Sequence, residues 1–365
     1  MPATLTKNLL RPSVAVPVIA FVAFLATWGR TPGPVLVVVV AVLLGAAVLA
    51  AVHHAEIVAH KVGEPFGSLV LAVAVTVIEV ALIITLVLSG GPETASLARD
   101  TVFAAVMITL NGIVGLSLLV GALRHDVTRF NAEGTGAALA TVTALATLSL
   151  VLPNFTTSRP GPEFSTSQLV FAAVASLVLY ALFVTTQTGR HRDFFLPVAA
   201  EGAVIDEDHA DPPSSRAALV SLALLILSLV AIVGLAKVES PAIEAGVAAV
   251  GFPPSFVGVV IALLVLLPET LAAVRAARRD RMQTSLNLGY GSAIASIGLT
   301  IPAIAVASFF LSGPLLLGLE PTQIVLLALT VVVSVLTVVP GRATRLQGGV
   351  HLVLFATFLF LAIVP

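Results

Sequence analysis

Apolar runs long enough to cross a lipid bilayer recur eleven times along this chain. They fall near residues 13–28, 35–52, 66–89, 99–123, 136–154, 166–188, 216–238, 252–274, 283–311, 320–339 and 347–365. A span needs about 20 apolar residues, with slack for tilt. Inside hydrocarbon every backbone N–H and C=O must be satisfied by the protein itself, and runs of this length do that as helices. The expected fold is an all-α polytopic membrane protein of about eleven transmembrane helices. Composition agrees: 58% of the 365 residues are hydrophobic and 10% are charged, where soluble domains carry about 25% charged residues.

Several function classes drop out at once. A net charge of −1 offers no basic field for nucleic acid. With no cysteine there is no disulfide, thiolate metal site or thiol nucleophile. Lys7 and Arg11 followed by the apolar stretch Ser13–Trp28 have the outline of a signal peptide. No small-x-small site precedes a polar mature region, so a retained first span is the expectation. Trp28 fits an interfacial anchor.

Loop charges test the count and the orientation. With the N-terminus in the cytoplasm, the inner segments hold Lys7, Arg11, Lys61, Arg124, Arg129, Arg190, Arg192, Arg216, Arg275, Arg278, Arg279, Arg281, Arg342 and Arg345. The outer loops hold Arg30, Arg99, Arg159 and Lys237. That is fourteen against four, all eighteen Lys and Arg accounted for. A miscount of one helix would scramble the alternation that the positive-inside rule expects.

The longest polar segment, 189–215, carries Glu201, Asp206, Glu207, Asp208, His209 and Asp211 before Pro212-Pro213. It reads as a solvated cytoplasmic linker between two halves, or as a segment that senses cations and regulates transport.

An internal repeat organises the rest. With Glu79 aligned on Glu269, LVLAVAVTVIEVALII (69–84) lies on VVIALLVLLPETLAAV (259–274). With an offset of 183, residues 100–119 lie on 283–302, so that Thr101 meets Thr284, Thr109 meets Ser292, Gly115 meets Gly298 and Ser117 meets Thr300. Upstream, Glu56 precedes Glu79 by 23 residues and Glu244 precedes Glu269 by 25. The chain then divides into an N-terminal helix (1–34), a five-helix repeat (35–188), the acidic linker (189–215) and a second five-helix repeat (216–365). Five is odd, so the second repeat enters the membrane from the opposite side. Inverted repeats with a site near the midplane are the plan of many secondary transporters.

Glu79 and Glu269 are the central candidates for binding cation and proton. Intramembrane acids are costly and mark ion or proton paths. A low dielectric and a second acid nearby both favour a carboxyl that holds its proton, whereas a hard cation seeks oxygen ligands and displaces it. Competition for the same oxygens is the physical core of antiport. A dehydrated cation needs more oxygens than two acids provide. Thr76, Thr109, Asn111, Asn287, Ser292 and Ser296 are the main candidates, with Ser117, Thr270 and Thr300 behind them. Pro268 removes an N–H and so frees an upstream carbonyl beside Glu269. The run GYGSAIASIG (289–298) reads as a close-packing face that lets another helix approach Glu269.

In HHAEIVAH (53–60), His53, Glu56 and His60 stand at i, i+3 and i+7, with His54 beside them. A cytoplasm-facing cluster that titrates near neutral pH and regulates transport is the expectation. A zinc site is the alternative, although the spacing is not HExxH.

The two segments GEPFGSLVLAVAVTVIEVALI and LLPETLAAVRAARRDRMQTSLNLGYGSAIASIGLTIPAI resemble the two alpha-repeats of the cation/calcium exchanger superfamily. The resemblance is greatest to bacterial ChaA-type calcium/proton and sodium-potassium/proton antiporters, and it covers nearly the whole chain after the first helix. It implies a fold of one plus five plus five helices in a bacterial cytoplasmic membrane. It implies exchange of cytoplasmic cation for external protons, with Glu79 and Glu269 as the central acids and polar groups of the fourth and ninth helices completing the site. No cofactor is expected: Ca2+, Na+ or K+ and H+ are cargo, and the bilayer is the partner. Many calcium exchangers carry Asn four residues before each acid, where this chain has Val75 and Val265. That leaves transport of Na+ or K+ without Ca2+ open. A cation channel and an intramembrane zinc hydrolase are the distant alternatives.

Overall fold

The computed structural model describes residues 12–30, 33–63, 74, 76–84, 95–198, 213–310 and 314–365. The described residues are mostly helical, as the apolar runs require. In chain order the helices are α1 (Pro12–Thr27), α2 (Pro34–Val62), α3 (76–84), α4 (Leu97–His125), α5 (Ala132–Phe155) and α6 (Thr166–Thr188). There follow α7 (Ser215–Ala249), α8 (Phe256–Val265), α9 (Leu267–Arg278), α10 (Met282–Ala307), α11 (Pro321–Val338) and α12 (Arg345–Ile363). Among the described residues eight of these are long and apolar enough to cross a membrane. The bent pair α8–α9 makes a ninth, α1 is a shorter apolar helix of 16 residues, and α3 lies inside the run 66–89.

Polar residues at the ends set the boundaries. Asn131 caps α5 by accepting from the N–H groups of Glu133 and Gly134. Ser165 with Gln168 and Thr344 with Gln347 form capping boxes on α6 and α12. Each satisfies N–H donors that the first helical turn leaves without partners. Two helices depart from α geometry internally. A π-turn occupies Ile108–Ile113 within α4, and a second occupies Thr147–Val151 within α5, which then tightens into a 3₁₀ turn at Leu152–Phe155.

The helices fall into two compact units, each drawing on both halves of the sequence. In the unit formed by Met1–Gly91 and His209–Pro254, α1, α2 and α7 pack against one another. At about 1.5 Å per residue, the 29 residues of α2 and the 35 of α7 are longer than the hydrocarbon needs.

The unit formed by Pro92–Asp208 and Ser255–Pro365 is built around α4 and α10. Helix α4 is buried on all sides along its first two-thirds. It is flanked by α8, α9, α10 and α12, while α10 also packs on α5 and α6. A short antiparallel pair, β1 (Thr128–Arg129) with β2 (Arg342–Ala343), joins two loops in register Thr128 to Ala343. Helices α4 and α12 cross at two glycines. A Cβ on Gly115 would lie 2.8 Å from the His351 Cβ, and one on Gly348 would lie 2.9 Å from the Leu119 Cα. Backbones this close leave no room for a side chain. Gly348→Leu is expected to destabilise the protein by about 1–3 kcal/mol or more, read as a lower unfolding midpoint in detergent. Leu at Gly349, where nothing lies within 4 Å of the Cβ position, should be neutral.

The face expected in 289–298 is part packing and part open. Gly289 meets Val114 of α4 and Gly298 meets Tyr180 of α6, but Gly291 faces no neighbour within 4 Å.

Candidate functional site

Pro268 does more than free one carbonyl. Its missing N–H removes the partner of the Leu264 carbonyl, and its ring crowds that same group. Helix α8 therefore ends at Val265, and α9 restarts at Leu267 bent by 53°. Proline is well suited to the first turn of the new helix, where it stands here. Glu269 falls in that same first turn. Exposed N–H groups and the helix dipole favour negative charge there. The break thus puts an acid at the start of a half-helix inside an apolar span, an arrangement recurrent at transporter ion sites. Helix α9 packs on α10 and on α4, the two helices that hold most of the expected polar ligands. Thr270 turns its hydroxyl back onto the Leu266 carbonyl at 2.7 Å.

The repeat aligned Glu79 with Glu269, and their settings differ. Glu79 lies in the first unit on α3, which runs unbroken through 76–84. Its side chain is buried, as is Thr76 one turn earlier. Glu269 lies in the second unit and is half-buried. The sequence explains the contrast: Ile78 precedes one acid and Pro268 the other. Of the two valines standing where many calcium exchangers have Asn, Val265 is buried at the last residue of α8. Val75 lies outside the described residues.

The other expected ligands divide into engaged and unengaged oxygens. Thr109 is fully buried and donates to the carbonyls of Ala105 and Val106 in its own helix. Asn111, inside the π-turn of α4, points at α11 and α12. Its amide donates to the Thr330 hydroxyl at 2.9 Å, and its carbonyl oxygen meets the His351 Nδ1 at 3.0 Å. Asn287 donates to the Phe195 carbonyl at 2.7 Å and accepts from Gln283 at 2.9 Å. Both amides are therefore occupied by the protein. Ser292 is half-buried and Ser296 buried on α10. Ser117 and Thr300, which the repeat aligned with each other, are both fully buried. Their hydroxyls, like that of Ser285, have no hydrogen-bond partner among the described residues.

The histidine cluster is divided by the helix. His53, Glu56 and His60 share an exposed face of α2. His54 turns the other way, is buried, and meets the Ser13 carbonyl of α1 with its Nε2 at 2.8 Å. A step of one residue is 100° on a helix, so His54 leaves the face that the other three share, although its ring still lies 5.5 Å from that of His53. Of the linker, Asp206, Glu207 and Asp208 lie outside the described residues. Its first residues, 189–193, are exposed, and the chain then turns back onto the protein. Arg192–Phe195 form a 3₁₀ turn, Phe195 is buried edge-on against Phe183, and the Phe194 backbone fills the space beside Gly134.

Sequence reasoning passed over His351. It is fully buried in α12, with Nδ1 against Asn111 and Nε2 against the Thr337 hydroxyl at 3.2 Å. Because the Asn111 amide nitrogen donates to Thr330, its oxygen must accept, so Nδ1 carries the proton and Thr337 donates to Nε2. The signal was a lone histidine in an otherwise apolar run. Asn111→Leu and His351→Leu should each lower stability by about 1–3 kcal/mol, because each leaves its partner's polar group buried and unpaired. The double variant should lose less than the sum, as a double-mutant cycle of thermal unfolding would read. Glu239, also missed, is buried in α7 with Oε2 unpartnered among the described residues.

The chain is similar along most of its length to known ion transporters. The family model for the sodium/calcium exchanger protein matches residues 32–189 and 220–364. The putative ionic transporter y4hA of Sinorhizobium fredii (strain NBRC 101917 / NGR234) is 48% identical over 335 residues, covering 91% of this chain and 89% of that one. The sodium-potassium/proton antiporter ChaA of Escherichia coli (strain K12) is 32% identical over 351 residues, covering 95% and 94%. Among solved structures, the H+/Ca2+ exchanger CAX shares the fold at a TM-score of 0.73 and 15% identity, covering 98% of this chain and 89% of that one. A multi-pass helical fold, a helix broken beside an intramembrane acid and a family match over both halves lead to one conclusion: this chain belongs to the sodium/calcium exchanger protein family.

Proposed function

We propose that the chain is a secondary antiporter that exports Ca2+ from the cytoplasm in exchange for H+, with Na+ or K+ as alternative cargo at the same site. The observation that carries this reading is Glu269 in the first turn of a half-helix within an apolar span. An oxygen ligand in that position can hold a cation in one state and a proton in the next. Glu79, its partner in the repeat, is the second acid. In alternating access the two carboxyls face one side of the membrane at a time, so that cation binding on one side expels protons and proton binding on the other expels the cation. Ser117 and Thr300, buried and without a hydrogen-bond partner among the described residues, are the leading neutral oxygens, while Asn111 and Asn287 act as positioning groups. The fourteen-to-four charge asymmetry supports an N-terminus in the cytoplasm, and similarity to bacterial relatives supports the cytoplasmic membrane.

Exchange of Na+ or K+ without Ca2+ is the second reading. Val75 and Val265 favour it by removing two amide oxygens, and so does the name of the 32% identical relative. Inverted membrane vesicles decide between the two. After respiration builds a proton gradient, added Ca2+, Na+ or K+ should discharge it, and the half-maximal concentration of each gives the selectivity. Discharge by Na+ and K+ with none by Ca2+ would select the second reading. Discharge by no cation would overturn both, and cation flux without proton counterflow would indicate a channel.

A further inference from the structure

The loop charges assign four basic residues to the outer face: Arg30, Arg99, Arg159 and Lys237. Two of them are neutralised within the protein. Arg99 binds Asp100 at 2.8 Å and Glu320 at 3.2 Å, and Arg159 binds Glu163 at 3.3 Å. The other two, Arg30 and Lys237, have no carboxylate partner among the described residues, and both line one cavity of about 530 Å3. Glu239 and Glu244 on the same helix do not line it, and Glu244 accepts from Ser240.

The cavity is built by tight packing in the unit of α1, α2 and α7. A Cβ on Gly234 of α7 would collide with the Phe24 ring, so α1 lies directly on α7 there. Phe24 holds the Trp28 ring edge-on at a centroid distance of 5.1 Å. One turn beyond Gly234, the Lys237 ammonium sits 5.3 Å from the centre of the Trp28 ring, within cation–π range. Pro241 closes the cavity on the α7 side and Val37 on the α2 side. Next in the chain to these walls are apolar side chains that face outward: Leu25, Val35 and Val38 are 59%, 81% and 63% exposed.

Two unneutralised cations repel each other, and an anion between them removes that cost. A tryptophan marks the depth of the headgroups. An apolar outer surface beside a basic cavity fits an amphiphile rather than a free ion. We propose that this cavity binds the phosphate of an anionic phospholipid headgroup, with Lys237 and Arg30 on the phosphate and the acyl chains along α1 and α2. The proposal is independent of which cation the protein carries.

The shared chemistry is a phosphate anion, and its source is tested directly. The full-length protein, purified in a neutral detergent, is titrated with phosphatidylglycerol, phosphatidylcholine or inorganic phosphate and read by native mass spectrometry. Phosphatidylglycerol should bind about thirtyfold more tightly than phosphatidylcholine. Lys237→Gln combined with Arg30→Gln should remove that preference. Arg159→Gln, which removes an outer cation already paired, should leave it intact. Equal binding of the two lipids to the unaltered protein would overturn the proposal, whether or not the double variant folds. So would an undiminished preference in the double variant. Displacement of phosphatidylglycerol by an equal concentration of inorganic phosphate would overturn the lipid assignment.

Discussion

Glu269→Gln is expected to reduce cation-driven discharge of the proton gradient to background in inverted vesicles, with the protein still present in the membrane. Glutamine keeps the size and one oxygen of the side chain but cannot release a proton or carry a negative charge. It therefore removes both halves of the exchange while disturbing packing little. The position sharpens the expectation. Glu269 is in the first turn of α9 beside the break made by Pro268, so the charge of the site and the local backbone are coupled. Glu79→Gln should have the same result for transport. Glu79 is buried on an unbroken helical stretch, where glutamine keeps the size of the side chain. Full transport by either variant would refute the role proposed for that acid.

Arg99→Leu should produce the largest loss of stability, about 3–5 kcal/mol. Arg99 and Asp100 are both buried at the start of α4, and the guanidinium holds Asp100 at 2.8 Å, the Gly318 carbonyl at 3.2 Å and Glu320 at 3.2 Å. Removing it leaves Asp100 with the Ser96 hydroxyl, 2.9 Å away, and the Gln323 side chain, and no cation. The loop before α11 also loses its tether. The unfolding midpoint of the purified protein in detergent measures this. Arg99→Leu combined with Asp100→Leu should recover much of the loss, because no buried charge is then left alone. An equal midpoint for Arg99→Leu and the parent would show that the pair contributes nothing.

How much of this was legible beforehand differs by residue. The apolar runs located the helices because hydrocarbon permits few other structures, and hydropathy over some twenty residues is a strong signal. Pro268 announced a disturbance next to Glu269. The number of spans rests on runs that include 66–89, of which 74 and 76–84 are described. The π-turn at Ile108–Ile113 was not legible: Asn111 and Gly112 weaken an α-helix but do not specify a π-turn, and one extra residue in the turn re-aims Asn111 toward Thr330 and His351. Asn287 likewise resembles a ligand in sequence and is a clamp on Phe195 in space. Arg99 looked like a loop charge and is a buried one.

The sequence by itself determined the solvent of this protein, the positions of its helices, the acids that could exchange a proton for a cation and the family to which it belongs. Those follow from composition, period and short motifs, which act over distances of a turn or two. Only the tertiary structure decided which polar side chains are engaged and which are not. Asn111 and Asn287 resemble Ser117 and Thr300 along the chain, but a buried hydrogen-bonding group takes whichever partner the packing brings within about 3 Å. That partner lies up to 240 residues away in sequence, beyond the reach of any local pattern.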